Sequence, residues 1–372
     1  MKALILAGGE GTRLRPLTAN TPKPLIPLVN RPFLDHVLYL LRTHGINDVV
    51  LAMAYLSANF EQAYGDGSHL GMRLTYVHED EPLGTGGAIK NAEAALDTDE
   101  TFLVFNGDIL TDLDLSDMLR LHRGSGSQCT ISLTPVDDPS AYGVVDLDDT
   151  GRIQRFTEKP KREEATSNWI NAGTYILEPS TLDYIPEGQH YMVERGLFPT
   201  MLAEGKPLYG YRTGAYWMDI GTPAKYMQAH ADLLLGRLKS SLLPEGEQLS
   251  NNVWAGEGTF VHTGARITGP VVLGKNCRIH ENVSLVGPLA LADRCEVRAD
   301  AELTGVVAWR NAMFGEKSIC RGCIVGNDAR IGANCRLEEL VIIGDNASVG
   351  SGNHVTQGTR LEPGDNLPGQ AN

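Results

Sequence analysis

From Val261 onward an aliphatic side chain returns at every sixth position: Val261, Ile267, Leu273, Ile279, Leu285, Leu291, Val297 and Leu303. A second run, displaced by four, carries Val307, Met313, Ile319, Val325, Ile331, Leu337, Ile343, Val349, Val355 and Leu361. Glycine follows the aliphatic residue in VLGKN, IVGND, RIGAN, IIGDN and SVGSG. Such a period predicts a β-helix, in which short strands stack coil on coil and each sends one aliphatic residue inward. With three hexads per coil, as in the left-handed form, the repeat makes about five to six coils. The expectation is a left-handed parallel β-helix over 259–361, with a tail at 362–372. The break between the two runs, 305–314, predicts a loop or bulge where Trp309, Met313 and Phe314 pack.

The same register accounts for most of the cysteines. Cys320 and Cys323 have a spacing that suits a metal. Yet Cys277, Cys295, Cys323 and Cys335 all lie two residues before an aliphatic position, as do Ala265, Ala301, Ala329 and Ala347. That is the place for a small inward side chain, and a buried thiol behaves as a small hydrophobe. Core packing is therefore preferred to zinc, and Cys129 lies outside the repeat.

A chain of 372 residues exceeds one ordinary core. The region 1–238 reads as a second domain, joined to the repeat by a Pro/Gly/Ser-rich linker at 239–258. In it, Lys2 to Ala7, Asp48 to Met53, Met72 to His78 and Thr101 to Phe105 read as strands. Helical patterns separate them at Phe33 to His44, Ser57 to Tyr64 and Gly84 to Leu96. This alternation predicts βαβ units and a doubly wound sheet, whose ligands bind beyond the carboxyl ends of the strands. After Gln128 the pattern changes to strands with few helices, an extension that makes the sheet mixed. Tyr191 to Ala203 and Thr222 to about Leu238 read as helices.

Two candidate ligand loops fall at strand ends. Gly8-Gly9-Glu10-Gly11 follows the first strand, and such glycines suit a backbone that turns sharply and offers bare N–H groups to a phosphate. Arg13, Arg15 and Lys23 supply cations just downstream. An ordinary Gly-rich turn is the competing reading, because the loop has neither the Walker ending nor the full dinucleotide fingerprint. Asn106-Gly107-Asp108 follows the fourth strand, and its carboxylate suits either a turn or a metal.

LAGGEGTRLRPLT followed by PKPLIPLVNRP resembles the signature of the sugar-1-phosphate nucleotidyltransferases. Later motifs, NGD, FTEKP, NAGTYILEP and WMDIGTP, match that family in order, and catalytic domain plus β-helix is also a known pattern within it. The resemblance implies transfer of a nucleotidyl group from an NTP to a sugar 1-phosphate, with Mg²⁺ held by Asp108 and Asp219. It implies nucleotide contacts from Leu6, Ala7, Gly8, Gly9, Gly11, Thr12, Arg13, Lys23, Glu79, Gly84 and Asn106. Sugar-phosphate contacts would come from Gly143, Glu158, Lys159 and Asn171. Arg13, Lys23, Asp108, Lys159 and Asp219 would carry the catalysis. The pattern EDEPLGTGG is similar to that of mannose-1-phosphate guanylyltransferases, and a carboxylate at Glu79 suits the two adjacent donors of guanine. GTP is therefore the expected nucleotide, with thymidylyl and uridylyl transfer as alternatives and a solvated acidic loop at 79–81 as the bland one.

The net charge of −14 argues against a nucleic-acid surface, though a few local cations suffice for a nucleotide. No apolar run reaches the length of a membrane span, so the expectation is a cytoplasmic protein with no membrane partner. Two rivals stand beside the transferase. A hexapeptide acyltransferase would use a histidine on the β-helix, such as His262, His280 or His354. A non-catalytic paralogue would tend to lose the cations and carboxylates kept here. The β-helix itself is expected to serve homo-oligomer assembly and stability, leaving the cleft residues untouched if it is cut away.

Overall fold

Consecutive residues of the first strand are buried: Ala3, Leu4 and Ile5 have no exposed surface. A strand apolar on both faces belongs inside a sheet covered on both sides. The computed structural model, which describes residues 1–96, 100–239, 242 and 244–370, places it there. Linker positions 240, 241 and 243 and the last two residues of the tail lie outside the described residues. The chain forms two compact units, Met1–Glu10 with Val37–Asp219, and Gly11–His36 with Ile220–Asn372.

The first unit is built on a nine-stranded mixed sheet. Ala3–Leu6 pairs in parallel with Asp48–Met53 on one side and Phe102–Asn106 on the other, and Arg73–His78 follows Asp48–Met53. Beyond Phe102–Asn106 the strand Trp169–Leu177 runs antiparallel and continues to Gly143–Leu147 and Ile153–Glu158. Cys129–Pro135 pairs with Trp169–Leu177 and with Leu208–Arg212. The stretch read as one helix from Tyr191 is instead a π-turn, Val193–Leu197, leading into the α-helix Phe198–Ala203. Gly196 explains the wide turn: a Cβ there would lie 2.2 Å from the Tyr191 ring.

In the second unit, three parallel sheets of eight, seven and six strands form the faces of a β-helix, the largest beginning with an antiparallel pair. Its core is a column that includes Leu273, Ile279, Leu285, Leu291, Val297 and Leu303, each fully buried. Corner residues take the left-handed conformation that Asn and Asp tolerate, as at Asn276, Asn282, Asp300, Asn311, Asp328, Asn334 and Asn346. The glycine after the aliphatic position is a stacking requirement. A Cβ on Gly274 would lie 2.5 Å from the Asp293 nitrogen of the next coil.

The register break differs from the expectation. Leu291, Val297 and Leu303 pair with Ala308, Phe314 and Cys320, and these in turn pair with Val325, Ile331 and Leu337. The inward residues of that coil are thus Ala308, Phe314 and Cys320, not Val307, Met313 and Ile319. Two corners, at Gly305 and Gly322, are each one residue short, and both glycines have positive φ. Two single deletions look in the sequence like one shift by four. All six cysteines are buried and free, and among the described residues no group of three or more potential ligands could hold a metal.

The segment Gly11–His36 packs within this second unit. Asn30 Nδ2 donates to Leu291 O at 2.7 Å. The Tyr226 hydroxyl, on the helix Pro223–Leu234, donates to Pro27 O and accepts from Trp309 Nε1 at 3.1 Å. Trp309, expected near the break, is therefore a buried bolt between coil and helix. His230 accepts at Nδ1 from the Val29 N–H (3.3 Å) and donates from Nε2 to Pro27 O (3.2 Å). One neutral tautomer satisfies both bonds, and burial holds the His230 pKa down to about 3. The β-helix thus supports part of the signature motif, beyond the assembly role that its repeat alone suggests. Among the described residues no helix is long and apolar enough to cross a membrane.

Candidate active site

Most candidate residues of the first unit stand at strand ends or on the strand pair beside them, and Gly84 at the start of a helix. Ala7 N–H donates to Ala52 O at 2.8 Å, carrying the pairing of the first strand into the loop at Gly8-Gly9. Gly107 N–H donates to Leu6 O at 2.9 Å, and a Cβ on Gly107 would lie 2.7 Å from that same oxygen. Only glycine lets the two strand ends, Leu6 and Asn106, come this close.

Asp108 precedes the short strand Ile109–Thr111, which pairs antiparallel with Trp217–Asp219 so that Asp219 lies opposite Ile109. The register brings Asp108 and Asp219 to one end of one strand pair. Both are half-buried, and Asp219 Oδ1 is shielded from solvent. Two carboxylates are hard oxygen donors, the type and number that Mg²⁺ takes from protein when phosphates complete its shell.

Of the residues expected to meet the sugar, Asn171 lies at a β-bulge. Trp169–Leu177 shifts register between Asn171 and Tyr175, with Gly173 at φ 75°. Asn171 Oδ1 accepts from Gly173 N–H and its Nδ2 donates to the Tyr175 hydroxyl, both at 2.9 Å. Asn106 also hydrogen-bonds Tyr175. Trp217 Nε1 donates to Ala172 O at 2.9 Å, and the Trp217 ring meets the Tyr142 ring edge-on at 5.6 Å. Gly143 pairs with Glu158 across two strands. Lys159, with φ 49°, keeps an exposed side chain whose Nζ lies 3.5 Å from Glu158 Oε1.

Glu79 is the decisive residue for the acidic stretch. It is 9% exposed, whereas Asp80 and Glu81 face solvent, so the solvated-loop reading holds for those two alone. Its Oε2 accepts from Leu83 N–H at 3.0 Å, and its Oε1 faces Gly8, 3.2 Å from where a Cβ would stand. Burial raises the Glu79 pKa, and the Leu83 N–H opposes that shift. Gly84, at φ 72°, opens the following helix, Gly84–Asn91.

The remaining candidates belong to the second unit. Gly11, at φ 65°, accepts at its carbonyl from Thr18 Oγ1 (2.9 Å), and a Cβ on it would lie 3.1 Å from Lys23 Cβ. Lys23 is buried at 8% exposure, whereas Thr12 and Arg13 are exposed.

The sequence reading missed Glu194. It sits in the π-turn and accepts from Thr85 Oγ1 at 2.9 Å. Burial raises its pKa and nearby Glu158 adds to the shift, while Lys159 opposes it. Gly196 inside an apparent helix was the available signal, since glycine is costly there without a packing reason.

The nucleotidyl transferase family profile matches residues 2–235. The chain belongs to that family. It is 43% identical over 270 residues to a mannose-1-phosphate guanylyltransferase of Mycobacterium tuberculosis, covering 72% of this chain and 73% of that protein. It is 39% identical over 268 residues to a UTP–glucose-1-phosphate uridylyltransferase of Synechocystis, covering 69% of each. Among solved structures it is similar to HddC from Yersinia pseudotuberculosis complexed with GMP-PN. That likeness has a TM-score of 0.53 and 30% identity, covering 62% of this chain and 99% of that one. This family member is a sugar-1-phosphate nucleotidyltransferase, a class whose substrates are an NTP and a sugar phosphate and which generally uses divalent metal ions. Of the histidines that an acyltransferase would call on, His280 and His354 pair with Glu296 and Glu338 on neighbouring coils, and His262 caps its own turn.

Proposed function

We propose that the protein transfers a guanylyl group from GTP to mannose 1-phosphate, giving GDP-mannose and pyrophosphate. The observation that carries the base choice is the buried Glu79 carboxylate facing Gly8. Guanine offers N1–H and N2–H₂ side by side, and a carboxylate accepts both. Uracil and thymine flank their single donor with two carbonyls, which a carboxylate repels. The Mycobacterium relative and the HddC structure with GMP-PN support this reading, and the Synechocystis relative supports uridylyl transfer to glucose 1-phosphate as the second.

In this mechanism a sugar-phosphate oxygen attacks the α-phosphorus in line and pyrophosphate leaves. No general base is needed, because a phosphate monoester has a second pKa of about 6 and is mostly dianionic at neutral pH. The chain's work is orientation and charge neutralisation. The backbone from Leu6 through Thr12 lines the nucleotide, with Gly84 at the base and Asn106 beside the first strand. By their place in the motif, Arg13 and Lys23 take the nucleotide phosphates. Lys159 takes the sugar phosphate, while Glu158, Asn171 and the Gly143 backbone hold sugar hydroxyls. Asp108 and Asp219 would hold Mg²⁺, which when bound neutralises charge building on the phosphates. Residues 1–238 carry the catalytic residues, and the β-helix, expected over 259–361, supports a homo-oligomer; its stacked strands begin at Val253–Ala255, inside the expected linker 239–258, and end at Asn366–Leu367, inside the expected tail 362–372.

A matrix of GTP, UTP, dTTP and ATP against mannose and glucose 1-phosphates, read by pyrophosphate release, tests the assignment. GTP with mannose 1-phosphate should lead. Glu79→Gln should raise the GTP KM by the equivalent of about 1–3 kcal/mol and narrow the gap to dTTP. A wild-type preference for UTP or dTTP would remove the guanine assignment and keep the reaction class.

A further inference from the structure

The last coils of the β-helix reach back to the cationic part of the signature motif. Arg360 opens the strand Arg360–Leu361 and donates from its Nη1 to Arg15 O at 2.8 Å, with Arg13 O 3.4 Å from the same nitrogen. One coil earlier, Asp345 accepts a hydrogen bond from the Asn20 side chain. Asp345 Oδ1 is itself fixed by the Asn327 N–H at 2.7 Å. Two contacts from adjacent coils therefore fall on 13–20, more than 300 residues away in sequence.

Arg360 thus sets a guanidinium against the main chain of the segment that carries Arg13 and Arg15. A fixed third cation makes sense where an anion is to be bound, since it adds to the local positive field of a chain with net charge −14. Its planar donors also suit charge-assisted bonds to main-chain oxygens and restrain the backbone that carries Arg13.

We propose that Arg360 is a positioning residue for nucleotide binding, holding the Arg13–Arg15 backbone so that Arg13 meets the triphosphate in place. The proposal rests on the reading of Arg13 as a phosphate ligand. Full-length Arg360→Ala, Arg360→Lys and Asp345→Ala test it, by steady-state kinetics, by calorimetric titration with GTP and by melting temperature. Arg360→Ala should raise the GTP KM and Kd about three- to tenfold, the worth of one ordinary hydrogen bond at an exposed site. The KM for mannose 1-phosphate and the Tm should stay near wild type. Arg360→Lys should recover part of the loss, because an ammonium keeps the charge and one donor. Asp345→Ala should show the same selective GTP effect through Asn20, and it carries the test if Arg360→Ala does not fold. An unchanged GTP KM and Kd in Arg360→Ala, or equal losses for both substrates with a lowered Tm that Lys does not rescue, would overturn the proposal. If wild type neither turns over nor binds any NTP, the reading of the site fails first; if wild type binds GTP and Arg360→Ala binds it equally, only the Arg360 proposal fails.

Discussion

The two halves of the signature motif are contiguous in sequence and supported in different ways. Residues up to Gly9 continue a strand paired on both sides, with main-chain bonds such as Ala7 N–H to Ala52 O. From Gly11 to His36 the long-range support comes largely from single side chains: Asn30 to Leu291, His230 to Pro27 and Val29, Tyr226 to Pro27, Arg360 to Arg15. A sheet shares its load over many backbone bonds, so no one substitution there removes the support. The cation-bearing half depends on a few buried or charged contacts, and each is a point of failure.

The largest effect should come from cutting the chain after Leu238. That removes Leu291, Trp309 and Arg360 together, and nucleotidyl transfer should fall to background even where circular dichroism still reports the sheet. A fragment retaining most of its pyrophosphate release would break the contrast, because the β-helix would then be dispensable to the motif.

Asp108→Asn and Asp219→Asn attack the first unit, to which the strand-supported half of the motif belongs. Each should lower kcat by roughly 10²–10³-fold while leaving the Tm almost unchanged, since the strands that carry them stay paired. A Tm drop as large as that of a core mutant would show that these carboxylates hold the strand pair instead of a metal.

A smaller effect should separate the halves by pH. His36 is buried, donates from Nε2 to Leu28 O and has a pKa lowered from 6.5 to about 4, mainly by burial, with the Arg31 charge adding to it. His230 is likewise lowered, mainly by burial, with a smaller contribution from His36. Below about pH 6.5 the unfolded chain takes up protons that the native histidines refuse, so stability falls as pH drops towards 4 and is independent of these groups above 7. His36 alone is worth about 3 kcal/mol across that window. Melting curves from pH 7.5 to 4 should slope downward for wild type and flatten for His36→Gln. An unchanged slope in the variant would place the acid sensitivity elsewhere.

Much of this was legible from residues alone. The hexad period announces itself because every coil must fill the same narrow column with one aliphatic side chain. The strand Asp48–Met53 matches its apolar run residue for residue, because burial on both faces leaves no polar interruption. The coil at 308–320 was misread because neighbouring Val307, Met313 and Ile319 are also apolar, so only the strand pairing tells which residue points inward. Glu194 was hidden by a π-turn, whose spacing differs from a helix by one residue in one turn.

By itself the sequence determined the repeat, the strand-and-helix order, the motif glycines and the carboxylates at strand ends. All of these follow from local periodicity and from backbone demands that few residue types can meet. Only the tertiary structure decided that Glu79 is buried while Asp80 and Glu81 are not, that Asp219 lies beside Asp108, and that Arg13 and Lys23 share a unit with the β-helix. Burial and long-range pairing depend on which distant surfaces meet, and no stretch of neighbouring residues carries that information.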